Sequence, residues 1–556
     1  MAEAQTAGRR LIIPEVTVND HIARQAQRQP DARALVYYGA SLSYGELQRS
    51  VERLAGFLQQ RMGVGRGERV LLVAQNSPQF VIAYYAILRA DAVVVPGNPM
   101  NRTAELRHFL EDSGAAAAIV GNDVLAAALP LLREGQLDHL LLAHYDDYAD
   151  PAFEIPLPES LRRRPEPGGD FPLVADWREA LAEDLRPRPQ AAGPDDLAVI
   201  PYSSGTTGQP KGCMHSHRTV MATLVGGIQW NPGDQGPAVH LVSLPLFHVT
   251  GMQNGMNAPL YQGHSLVLMS RWDRGTAARL IERYRVERWR SIATMAIDLL
   301  ADPELDRYDL SSLRGIGGGG AAMPAAVYDG LKAKTGLDYI EGYGLTETMA
   351  ATHINPTDSP RRGCLGVPVF EVDARIRDPE SGALLGPDQP GEIVINAPQV
   401  FKGYWNDPEA TRAAFVEIDG KPFFRTGDIA YVDAAGYFYM VDRVKRMINL
   451  AGFKVWPAEI ELLLHRHPAI AQACVIAAAD PRRGEVVKAV VVLNPKGPPV
   501  TAEDIVAWCR EQMSAYKVPR IVEIAETLPR SATGKIDWRS LQERERALAA
   551  PGKEGA

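Results

Sequence analysis

The segment Tyr202 to Gly212 reads Tyr-Ser-Ser-Gly-Thr-Thr-Gly-Gln-Pro-Lys-Gly and concentrates the chemistry that holds phosphate. Ser203, Ser204, Thr206 and Thr207 offer hydroxyls, and Gly205 and Gly208 let the backbone come close to an anion. Successive N–H groups cradle phosphate oxygens, and Lys211 adds a positive charge. A Walker A loop is excluded, because Pro210 precedes the lysine and Gly212 follows it. In Glu341 to Thr348, Tyr343 stands between two glycines as a flat ring for a base. Thr346 can meet a phosphate oxygen there, and Glu347 supplies a carboxylate for a hard cation such as Mg²⁺. Arg425-Thr426-Gly427-Asp428 sets an acceptor for vicinal hydroxyls on a tight turn. Leu528 to Lys535 ends in Thr-Gly-Lys, a loop tip that can bring a cation to a phosphoryl centre under attack. Taken singly, the last three also read as ordinary turns. Their occurrence together, once each and in this order, gives them weight.

These loops need a scaffold of strands and helices. Short apolar runs alternate with helical patterns: Arg69 to Val73, then Phe80 to Leu88, then Ala92 to Val95 ending at Pro96. Ala115 to Val120 and Leu266 to Met269 add buried strands, and Leu197 to Ile200 leads into the phosphate segment. Such alternation predicts α/β layers. Pro156 to Pro194 is rich in Pro, Arg and Glu and reads as surface connection with room for short elements. Glu392 to Ile395 and Gly436 to Met440 predict strands of a β-rich subdomain. Beyond Asp442 the pattern is helix Pro457 to His465, strand Ala473 to Ala478, strand Ala489 to Leu493, helix Ala502 to Met513 and strand Ile521 to Ile524. The predicted architecture is a large multi-subdomain α/β domain over 1–442 and a small α+β domain over 443–556. With 556 residues and a net charge of -8, the chain lacks the basic stripe of a nucleic-acid binder. Its four cysteines fall in no zinc spacing and predict reduced thiols in a cytoplasmic enzyme. No signal-peptide core and no membrane-spanning apolar run is expected.

On these four segments, and on Asp442 to Glu461, the chain resembles the adenylate-forming superfamily of acyl-CoA synthetases, luciferases and peptide-synthetase adenylation domains. The resemblance covers nearly the whole chain. It implies that Ser203 to Lys211 hold the β- and γ-phosphates of ATP and that Gly319, Gly320 and Ala321 flank the adenine. Tyr343 would stack on the base, Thr346 would touch the α-phosphate, and Glu347 with Thr207 would bind Mg²⁺. Asp428, helped by Arg443, would hold the ribose, and Lys535 would bridge carboxylate and α-phosphate. Lys445 falls on the family's hinge and Gly452-Phe453 on its thioester-forming loop. A mobile C-terminal domain would then present Lys535 in one pose and the Gly452 loop, with a channel for coenzyme A, in the other.

The implied activity is ATP-dependent ligation of a carboxylic acid to coenzyme A through an acyl-adenylate. His248 in Pro245 to Met252 stands where amino-acid-activating relatives carry an aspartate, which disfavours an amino acid. The absence of a carrier domain after residue 545 disfavours a synthetase module. Met252, Met256, Met295, Gly317 to Gly320 (Gly318 among them), Met349 and Ala350 are the candidate acyl-pocket wall, with His248 resembling a pocket-gating histidine of relatives. Methionines there fit a medium- or long-chain fatty acid. Departures from the family pattern are Gly318 for a frequent Ser or Thr, Ala293 for a frequent Pro, and Asp442 for a frequent Gly. The first two bear on the acid rather than on the mechanism. Rival readings are an aryl-CoA ligase, an acyl-AMP ligase for a carrier protein, a luciferase-like oxygenase, and a non-catalytic nucleotide-binding protein. A Rossmann dehydrogenase is set aside, because no GxGxxG follows a strand. The partners expected are ATP, coenzyme A and a small carboxylic acid; a homodimer and peripheral membrane contact are both compatible with this reading.

Overall fold

The structure, a computed structural model, describes residues 10–165, 174–203, 210–230, 236–320, 323–443, 446–450, 453–480, 484–495, 497–530 and 536–549. The chain divides into two compact units, residues 1–374 with 395–424, and 375–394 with 425–556. Three strands, Asp373–Arg377, Gly391–Asn396 and Lys421–Val432, carry the chain across that division.

Two large sheets build the first unit. In one, Val174–Asp176, His139–Ala143, Ala117–Gly121, Arg69–Val73, Val93–Pro96 and Leu197–Val199 run parallel in that order. His215–Ser216 closes its edge antiparallel. Leu197–Val199 therefore delivers the phosphate segment from the carboxyl end of a parallel strand, the usual place for ligand loops in open α/β sheets. In the other, Tyr339–Leu345, Gly315–Gly319, Arg288–Ser291, Val239–Val242, Ser265–Leu268 and Arg33–Tyr37 run parallel. Ala350–Ile354 returns antiparallel beside Tyr339–Leu345.

Helix Pro78–Arg89 shows why the sequence folds in layers. Its apolar residues cover every face, and all positions from Pro78 to Leu88 are buried. Ser77 caps its start by accepting from the Phe80 amide, and Pro78 sits in the first turn, where a missing N–H costs nothing. The stretch read as surface connection does hold short elements: helix Glu159–Arg162, edge strand Val174–Asp176 and helix Trp177–Ala182.

In the second unit, strands Ile470–Asp480 and Gly484–Leu493 form a long antiparallel pair, flanked by Ile448–Leu450 and Ile521–Ile524. Helices Pro457–Leu464, Ala502–Gln512 and Trp538–Ala549 accompany the sheet. Its core gathers Ile448, Val455, Ile460, Leu464, Val475, Val491 and Ile505. Among the described residues, no helix is long and apolar enough to cross a membrane.

Candidate active site

The phosphate segment is the connection of a two-stranded ribbon. Tyr202–Ser203 pairs antiparallel with Lys211–Gly212, in the register Ser203 with Lys211 and Tyr202 with Gly212. Ser204, Gly205, Thr206, Thr207 and Gly208 lie outside the described residues. The base of the ribbon is fixed from below, where the Tyr202 ring packs on Phe109 at 4.5 Å and its hydroxyl donates to Asp112. It is fixed from the side by a segment that sequence reasoning passed over, Phe401-Lys402-Gly403-Tyr404-Trp405-Asn406-Asp407. The Trp405 amide donates to the Gly212 carbonyl (2.8 Å), and Met214 exchanges backbone hydrogen bonds with Lys402 and Gly403. Lys211 Nζ donates to Asp407 Oδ2 at 2.9 Å and lies 5.4 Å from the centre of the Tyr404 ring. That ion pair, with the Ala410 amide, holds the Asp407 carboxyl below its ordinary range.

The second segment follows from strand Tyr339–Leu345, which turns into the short 3-10 helix Thr346–Thr348. The turn leaves Met349 and Ala350 in the left-handed region, with φ of 51° and 89°. Non-glycine residues enter that region at a cost of order 1–3 kcal/mol, and functional sites are where such strain collects. Side chains enforce it here. Thr348 Oγ1 accepts from the Leu345 amide (2.9 Å) and donates to the Ala350 carbonyl (2.8 Å). His215 Nε2 donates to the Thr346 carbonyl at 2.8 Å. Burial pushes the His215 imidazole down to about 4, so it is neutral near pH 7.

Glu347 thus projects from a fixed turn, half-buried. Its carboxylate accepts from the Tyr404 hydroxyl (2.9 Å), and its carbonyl accepts from the Phe401 amide (2.8 Å). Among the described residues, no group of three or more His, Cys, Asp or Glu is placed to cage a metal. One carboxylate is what Mg²⁺ uses when phosphate and water complete its octahedron, so Glu347 fits that ion.

Tyr343 is buried edge-on against His353, with ring centres 5.5 Å apart. Gly319 ends the neighbouring strand and Gly320 follows it; Ala321 lies outside the described residues. A Cβ at Gly318 would stand 1.8 Å from the Ser291 carbonyl oxygen, and one at Gly319 would stand 2.1 Å from that of Gly342. Strand spacing therefore demands glycine at both positions, whatever binds nearby. Glu341 was not singled out by its sequence, yet its buried carboxyl accepts from the Met323 and Gly363 amides (3.0 and 3.2 Å). Burial raises its pKa.

Among the acyl-pocket candidates, Met252, Met256 and Met349 are fully buried and Met295 nearly so. Met252 and Met256 share a π-helical turn, Gly251–Asn257, a geometry often found at functional sites. His248 and Gly318 are half-buried, and the His248 carbonyl accepts from the Met252 amide at 2.9 Å.

In the second unit, Asp428 is 1% exposed on Lys421–Val432 and pairs in register with Arg443 on Phe438–Arg443. Arg443 Nε lies 2.8 Å from Asp428 Oδ1. The Arg-Thr-Gly-Asp turn is pinned by Glu392, another residue missed in the sequence. It accepts from Arg425 Nε (3.1 Å) and from the Gly427 amide (3.2 Å). Thr426 Oγ1 donates to the Ile393 carbonyl (2.8 Å). Asp442 is buried and accepts from the Arg443 and Ala458 amides, and burial raises its pKa. Lys445, Gly452 and Lys535 lie outside the described residues; Phe453 opens strand Phe453–Val455, and Arg530 bridges Ile536 on either side of 531–535.

Comparison with known proteins agrees over the same span. The family model for AMP-binding enzymes matches residues 22–405, and that for the AMP-binding enzyme C-terminal domain matches 459–535. A long-chain-fatty-acid–CoA ligase of Bacillus subtilis (strain 168) is 34% identical over 96% of this chain and 96% of its own. A feruloyl-CoA synthase of an Amycolatopsis species is 35% identical over 92% of this chain and 96% of its own. The crystal structure of an anthranilate–CoA ligase with anthranoyl-AMP superposes with a TM-score of 0.83 at 26% identity, covering 97% of this chain and 99% of that one. Two matching domains in order, and full-length relatives above 30% identity, leave one conclusion: this chain belongs to the AMP-binding enzyme family.

Proposed function

We propose that this enzyme converts a carboxylic acid and ATP to an acyl-adenylate and pyrophosphate, then passes the acyl group to coenzyme A and releases AMP. The observation that carries the reading is the meeting of Lys211 and Glu347 on one tyrosine. The phosphate-segment cation and the candidate metal carboxylate both lie against Tyr404, although they come from distant parts of the chain.

A carboxylate is a poor acyl donor, being anionic and lacking a good leaving group. Its attack on the α-phosphorus makes a mixed anhydride with AMP as leaving group, but brings two anions together. Preorganised cations and donors must offset that repulsion. Lys211 is held at the base of the phosphate ribbon for this purpose, and Thr346 stands on the enforced turn beside Glu347. Bound through Glu347 and Thr207, Mg²⁺ would neutralise phosphate charge. Lys535 is assigned to bridge acid and α-phosphate. Asp428 and Arg443 are assigned to the ribose, and Tyr343, Gly319, Gly320 and Ala321 to the adenine. The boundary near 442, the hinge at Lys445 and the role of the Gly452-Phe453 loop in admitting the thiol belong to the same reading.

For the acid, a medium- or long-chain fatty acid is favoured by the buried methionines around the π-helical turn and by the relative named for long-chain substrates. An aromatic acid is the second reading, favoured by the feruloyl relative at 35% identity. Four buried free thiols suit a cytoplasmic enzyme. Peripheral membrane contact and a homodimer are open to flotation and sedimentation. The test of function supplies ATP, Mg²⁺, coenzyme A and a panel of straight-chain and aromatic acids, and follows AMP. AMP release that needs both acid and coenzyme A supports the proposal. Release without coenzyme A, or with no acid of the panel, contradicts it.

A further inference from the structure

We propose that Tyr404 is a positioning residue for the metal carboxylate: its hydroxyl holds the orientation of Glu347, the residue that would take the Mg²⁺ accompanying ATP. This rests on Glu347 as the metal ligand. No part of the sequence pattern marks Tyr404 for the role; the geometry does.

The phenol donates to Glu347 Oε1 at 2.9 Å, and its own orientation is over-determined. The Tyr404 amide donates to Thr411 Oγ1 (2.9 Å), whose hydroxyl donates to the Asp407 carbonyl (2.8 Å). The ring packs edge-on against buried Phe401 at 4.8 Å, and its backbone bridges Cys213. Phe401 in turn donates its amide to the Glu347 carbonyl. One short segment therefore holds Glu347 at both ends, main chain and carboxylate. Outer-shell partners of this kind typically carry 10- to 100-fold of metal affinity.

Tyr404→Phe removes the donor and keeps the ring in the aromatic cluster. The probe is Mn²⁺, titrated into the full chain with α,β-methylene-ATP and read by electron paramagnetic resonance. Wild type, Tyr404→Phe and Glu347→Gln are compared. The expected result is an Mn²⁺ dissociation constant raised about 10-fold by Tyr404→Phe, a larger rise for Glu347→Gln, and no change in KM for the acid or in the denaturation midpoint of Tyr404→Phe. A shift in Glu347→Gln alone overturns the role of Tyr404. No shift in either variant also overturns it, and traces the error to Glu347. Loss of stability with unchanged Mn²⁺ affinity reduces Tyr404 to packing.

Discussion

Lys211 is paired with an acid, Asp407. Its partner Asp407 occupies the ammonium that the proposed function assigns to the phosphates of ATP. The pair is partly exposed, at 32% and 37%, and pairs of that kind are worth about 0–1 kcal/mol. On that assignment, ATP would displace Asp407 at small cost. Asp407→Asn removes the charge and keeps an oxygen for the Ala410 amide that starts helix Pro408–Ala413. The dissociation constant for a non-hydrolysable ATP analogue should fall by about 2- to 5-fold. A rise would mean that Asp407 aims Lys211 at ATP rather than competing for it. Tyr404 lies at the same corner, against both Lys211 and Glu347.

Strand Gly315–Gly319 illustrates how closely an element is built to its neighbours. Gly319 pairs with Gly342 across parallel strands, and a Cβ would press on that residue's carbonyl. Gly319→Ala must open the sheet beside the Tyr343 segment. It is expected to destabilise the first unit by about 1–3 kcal/mol and to raise KM for ATP, as read by urea denaturation and initial rates. Unchanged stability would show that the strands part freely. Elements such as Arg69–Val73 and Pro78–Arg89 were legible in the sequence, because unbroken apolar runs dictate burial on both faces. Edge strand Val174–Asp176 was not, because charged and proline-rich flanks hide three half-buried residues. Among the site residues, Lys211 and Glu347 stood in recognisable local patterns. Tyr404, Asp407 and Glu392 did not, since each owes its role to a partner far along the chain: Tyr404 meets Glu347 57 residues away, and Asp407 meets Lys211 196 residues away. Such pairings leave no periodic trace. His215 was hidden for the same reason, its ring reaching Thr346 131 residues on.

Across the whole chain, buried imidazoles tie stability to pH. Burial lowers His21 and His353 to about 3, and His215 and His217 to about 4. All four lie in the first unit. Unfolded histidine takes a proton near 6.5, so below that pH the unfolded chain binds protons that the folded chain refuses. Stability is full above pH 6.5 and falls towards pH 4, by at most about 3 kcal/mol per histidine. The raised carboxyl of Glu341 works in the opposite sense, gaining stability as pH falls through its folded value. The urea midpoint of the first unit should drop between pH 7 and 5; a constant or rising midpoint would show that these rings are hydrated. The proposed mechanism divides the chemistry between the phosphate ribbon near Lys211 and a lysine near the other end of the sequence, Lys535. Exchange of labelled pyrophosphate into ATP, run beside thioester formation from supplied acyl-AMP, reads the two halves separately in wild type and in Lys535→Ala. The predicted result is acid-dependent exchange in wild type, loss of at least about 100-fold of it in Lys535→Ala, and thioester formation preserved. Exchange that needs no acid, or equal loss in both reactions, would contradict it.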